Sequence, residues 1–111
     1  MNEGDVALAP LRQANGAVKN RPVIVLRKMP PFGDLLVCGV STQVHQAAPG
    51  FDETIESTHP DFSASALKAA SLIHLGFLAV LPQSHFAGAI GALSADRHRR
   101  LLARLSHHLR P

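Results

Sequence analysis

The segment Pro22-Val23-Ile24-Val25-Leu26 constrains the fold of this chain more than any other. Four consecutive apolar side chains, three of them β-branched, favour an extended backbone and pack well on a pleated surface. With no polar residue among them, such a strand is covered on both faces and belongs inside a sheet. Proline fits at the first residue of a strand, where its missing N–H costs least. The rest of the chain must therefore supply neighbours for a central strand.

Those neighbours are legible. Asp5–Arg12 alternates imperfectly and suits a first strand, and Asn15-Gly16 then marks a turn because both residues tolerate positive φ. Met29-Pro30-Pro31-Phe32-Gly33-Asp34 breaks the chain, and Leu35–Gln43 is a third strand. Residues 44–63 carry Pro49-Gly50, Pro60 and all four acids of the central region, with a short strand expected at Phe51–Glu56. Leu67–Leu81 is apolar without helical spacing and predicts a strand kinked at Gly76. Pro82-Gln83-Ser84 predicts a turn, and Phe86–Leu93 a last, glycine-rich strand. Ser94-Ala95-Asp96 offers an N-cap and a first-turn acid. Beyond it Leu101, Leu102, Leu105 and Leu109 share one helical face, with Arg97, Arg100, Arg104 and His108 mainly on another. The fold class expected is mainly β with a C-terminal α-helix docked on the sheet, residues 1–111 forming one domain.

A composition of 46% hydrophobic and 17% charged residues is that of a globular chain rather than a disordered one. With no Trp or Tyr, the core must be built from Leu, Val, Ile and Ala. Cys38 is the only cysteine, so no internal disulfide forms and nothing calls for an oxidising compartment. The acidic start Met1–Asp5 lacks the pattern of a signal peptide, and no apolar stretch reaches the roughly 20 residues of a membrane span. A cytoplasmic protein without membrane attachment is expected. Charge is segregated: residues 1–43 and 94–111 are basic, and 44–93 are acidic. Nucleic acid is thus a reasonable partner class, with the helix arginines forming either a minor contact patch or an ordinary solvated face. The histidines show no metal-ligand spacing, so neither a metal nor another cofactor is expected.

Several short pieces resemble the MazF/PemK-type toxins of type II toxin–antitoxin systems. Gly4-Asp5-Val6, followed by a glycine-containing loop and Lys19-Asn20-Arg21-Pro22-Val23-Ile24-Val25-Leu26, is similar to the family's opening. Val40-Ser41-Thr42-Gln43 resembles the end of its third strand. Ser65–Leu75 resembles a later strand, and Ile90-Gly91-Ala92-Leu93-Ser94 before a helix resembles its ending. The resemblance implies the SH3-like small β-barrel of MazF, Kid and CcdB, usually as a homodimer. It also implies metal-independent cleavage of single-stranded RNA, commonly messenger RNA, and a cognate antitoxin protein as partner.

On that resemblance Arg21 is the key catalytic residue, a forked cation suited to clamping two phosphate oxygens. Ser41 stands where the family places a catalytic Thr and keeps its hydroxyl. Lys19, Asn20, Thr42, Gln43 and Lys68 are the expected RNA-binding residues, although some relatives carry an acid near the position of Lys68. A proton acceptor must then come from elsewhere. His45 is the first choice, four residues after Ser41 and on the same side if the strand continues; His59 and His74 come after it. Two other readings share the barrel: a CcdB-like inhibitor of DNA gyrase, and an inactive relative that only binds.

Overall fold

The computed structural model describes all residues, Met1–Pro111. Six antiparallel strands form one sheet: β1 (Asp5–Arg12), β2 (Val18–Met29), β3 (Asp34–Ser41), β4 (Glu53–Ile55), β5 (Ser71–Leu81) and β6 (Gly88–Ala92). Their order across the sheet is β4-β5-β3-β2-β1-β6, which puts Val23–Leu26 near the middle. A four-residue helix α1 (Phe62–Ser65) and a long helix α2 (Ala95–Leu109) complete the fold. The expected class is found, as a curled half-barrel whose outer strands β4 and β6 do not pair with each other. None of its helices is long and apolar enough to cross a membrane.

Alternation along β2 divides the core. Ile24 and Leu26 join Val6, Cys38, Ile73 and Leu75 on the face covered by Leu101 and Leu105 of α2. Val23 and Val25 join Ala7, Ala9, Leu35 and Val37 on the opposite face, away from that helix. Ser94 caps α2 by accepting a hydrogen bond from the Arg97 amide at 3.2 Å. The helix departs from expectation at two positions: Leu109 is 67% exposed, whereas Arg97 is buried.

Two irregularities shape the working end. The β2–β3 ladder stops at Val23↔Gly39, whereas the β1–β2 ladder runs on from Leu8↔Pro22 to Arg12↔Val18. The sheet therefore forks at Pro22, with the β1–β2 ribbon on one side and the end of β3 on the other. The second irregularity lies in β5. Cys38 pairs with Leu78 and the adjacent Gly39 with His74, so Leu75-Gly76-Phe77 form a three-residue bulge where a kink at Gly76 was expected. Phe77 folds over Gly39, where an added Cβ would lie only 3.1 Å from its ring.

Candidate functional site

The fork holds two adjoining cavities of about 360 and 210 Å³, and Arg21, Val40 and Ser41 border both. Arg21 and Ser41 each stand two residues past Val23↔Gly39, the last pair of the β2–β3 ladder, on the two arms of the fork. The larger cavity adds Asn20, Thr42 and Lys68 over an apolar floor of Leu8, Pro22 and Ile90. The smaller adds Arg12, His74 and Phe77. No carboxylate lines either one.

Charge pairing elsewhere explains this polarity. Glu53 and Asp61 bind Arg97 at 2.8 and 2.7 Å, and Glu53 also binds Arg100 at 3.0 Å. Glu3 pairs with Arg27, and Asp96 with Arg99. The acidic middle and the basic C-terminus thus neutralise each other across the fold, and the α2 arginines are not a free nucleic-acid patch. Arg12, Arg21 and Lys68 have no carboxylate partner and face the fork. A separate hollow of about 640 Å³ beside α2 is lined by the paired groups themselves and reads as a folding clamp. There Arg97 holds the Asp61 carboxyl down at about 2 from 3.8 through hydrogen bonds.

Ser41 ends β3 as a local cap: the Gln43 amide donates to its Oγ at 3.0 Å. That bond occupies a lone pair and leaves the hydroxyl proton free to donate. Lys19 and Asn20, which precede the strand start expected at Pro22, belong to β2; Asn20 reaches the larger cavity and Lys19 neither. Gln43 is exposed and borders neither cavity.

The premise for His45 fails. The strand stops at Ser41, residues Val44–Gln46 turn as a 3₁₀ helix, and His45 borders neither cavity. His59 belongs to the clamp, where its Nδ1 lies 3.0 Å from the Glu56 amide and 3.2 Å from Arg97 Nη2. His74 is the histidine brought to Arg21 and Ser41. Its Nδ1 lies 3.4 Å from Asp52 Oδ2. Asp52, whose side chain is 1% exposed, also accepts from the amides of Ala48 and Leu75, each at 2.9 Å. The one available sequence signal was His74 itself, polar within the apolar run Leu72–Leu75. Asp52 gave none.

Comparisons with known proteins bear on the fold and the family. No curated protein matches the chain in sequence. Among solved structures, the Mycobacterium tuberculosis toxin MazF-mt6 superposes with a TM-score of 0.68 at 18% identity, covering 93% of each chain. That likeness establishes the fold. The family model described as "PemK-like, MazF-like toxin of type II toxin-antitoxin system" matches residues 2–109. With nearly its whole length accounted for by that model, the chain belongs to the PemK-like, MazF-like toxins of type II toxin–antitoxin systems.

Proposed function

We propose that this toxin is a metal-independent endoribonuclease that cleaves single-stranded RNA by attack of a ribose 2′-OH on the adjacent phosphate. The observation that carries the reading is that Arg21, which has no carboxylate partner, lines the same two cavities as Ser41. A phosphate seated beside them would have the two cavities to receive flanking groups of the RNA.

In the reaction the 2′-oxygen bonds to phosphorus, the P–O5′ bond breaks, and the products are a 2′,3′-cyclic phosphate and a 5′-OH. Negative charge gathers on the non-bridging oxygens, where fixed donors act most strongly. Arg21 clamps two of these oxygens and Ser41 donates to one. Phe77, 43% exposed above Gly39, offers a ring for base stacking. Lys68 and Arg12 neutralise flanking phosphates, with Asn20 and Thr42 on the rim of the larger cavity. The cognate antitoxin silences the toxin by covering this fork, and the working form is a homodimer in the cytoplasm.

The test incubates the protein and its Arg21→Ala variant with mixed-sequence single-stranded RNA in EDTA, followed by analysis of the ends. Cyclic phosphate ends that fall at least about 10²-fold in the variant are expected, the loss typical for one such donor. Absence of cleavage at high protein concentration would refute the proposal. Gyrase-dependent DNA breakage would point instead to a CcdB-like inhibitor.

A further inference from the structure

We propose that His74, oriented by the buried carboxylate of Asp52, is the general base of this site; the assignment rests on the ribonuclease reading above. Position comes first. His74 pairs with Gly39, two residues before Ser41 on β3, so the ring shares a sheet face with Ser41 and, by alternation along β2 from Val23, with Arg21. Arg21, Ser41 and His74 line one cavity, and the imidazole is 45% exposed, open to an incoming ribose.

Orientation comes from Asp52. Two amide N–H groups already donate to this carboxylate, one to each oxygen, so it serves its neighbours as an acceptor. The proton shared with His74 therefore sits on Nδ1, and the lone pair on Nε2. A base held this way by a buried carboxylate is pre-set in one tautomer. The bulge contributes as well: Leu75 gives Asp52 its amide, and Gly76 keeps space beside the ring. An added Cβ at Gly76 would lie 3.3 Å from His74 Cε1 and 3.7 Å from Nε2. The charged groups facing the imidazole are Asp52 at Nδ1 and, across the cavity, Arg12 and Arg21.

The step balances without a co-reactant. Nε2 takes the 2′-OH proton as the 2′-oxygen bonds to phosphorus. The P–O5′ bonding pair leaves on the 5′-oxygen, which is protonated from water, and His74 returns its proton to solvent.

The experiment compares the full-length protein with His74→Ala and His74→Gln, each checked for folding by circular dichroism. Single-turnover cleavage is measured from pH 5 to 9, and affinity with 2′-O-methyl RNA. The expected outcome is a 10²- to 10⁴-fold fall in kcat, near-unchanged affinity, loss of the acidic limb of the pH profile, and partial rescue of His74→Ala by free imidazole. Asp52→Asn should lower kcat less than His74→Ala while leaving affinity intact. Wild-type rates with the parental pH profile in both His74 variants would overturn the assignment while leaving the ribonuclease reading in place. A loss wholly in RNA affinity would overturn it too. No cleavage by the parent protein would overturn both.

Discussion

Replacing Arg97 by Met is the sharpest test of how α2 is fastened to the sheet. Met retains much of the apolar stem, so the change chiefly removes the guanidinium. Arg97 is 6% exposed and donates to Asp61 at 2.7 and 3.1 Å and to Glu53 at 2.8 Å. Glu53 keeps both hydrogen bonds from Arg100 afterwards, so its loss is about 1.5 kcal/mol for one charged hydrogen bond. Asp61 retains only Ser94 as a side-chain partner. Its carboxyl stands at about 2 against 3.8, chiefly through hydrogen bonding to Arg97. Such a shift corresponds to at most about 2.4 kcal/mol, and about half that where the open hollow admits screening water. The sum is about 3 kcal/mol, at the lower edge for breaking a buried pair. For 111 residues, at roughly 2.1 cal/mol/K per residue, the melting temperature should fall by about 13 °C. Urea unfolding and thermal melts measure this directly. Adding Asp61→Asn should restore about 1 kcal/mol by neutralising the stranded charge. The sign with pH also follows. A carboxylate with a depressed pKa contributes fully above about 3.8 and loses that contribution as pH falls through about 2. The gap between parent and variant should therefore narrow from pH 4 to 2. A variant within about 0.5 kcal/mol of the parent, or a gap constant over that range, would refute the reasoning.

Three further outcomes are expected. Gly91→Ala places a Cβ 2.5 Å from the carbonyl oxygens of Ala64 and Ser65, so β6 and α1 must separate at a cost of about 1–3 kcal/mol, seen as a lower urea midpoint; an unchanged midpoint contradicts the close approach. Burial pushes the Cys38 thiol up to about 12, so iodoacetamide at pH 8 should label it only when urea unfolds the chain, and labelling as fast as a free peptide thiol would contradict its burial. Lys68→Gln should reduce the slope of log affinity for single-stranded RNA against log salt by about 0.7; an unchanged slope removes Lys68 from the phosphate contacts.

Residues that obey a simple period were readable from the chain alone. Asp5–Arg12, the Val23–Leu26 core and the Ser94-capped helix are of this kind, because one local pattern sets each of them. Lys19-Asn20-Arg21 lies outside the strand expected from Pro22 because it is polar throughout. It is a strand only because β1 continues alongside it, in a ribbon open to solvent. Arg97 was assigned to the polar face although it stands four residues before Leu101 and eight before Leu105; a buried arginine is invisible until its acids are located. His45 was favoured by extrapolating β3 past its end. Asp52 and His74 are 22 residues apart and meet through a bulge that no local pattern announces.

The same bulge also absorbs a change of parity along β5. Three extra residues are an odd number, so side-chain facing inverts across it: Ile73 points toward α2, yet Ala79 and Leu81 pack on the opposite face, where His74 lies. Removing one residue, Gly76 for instance, would leave two between His74 and Leu78 and restore plain alternation, so with both flanking registers held Leu78 would still face as Cys38 does. Ala79 and Leu81, still opposite Val37 and Leu35, would keep their core. The bulge is therefore a length tolerance: two spare residues fit plain alternation, and the third is taken up by the turn of the backbone at Leu75-Gly76-Phe77.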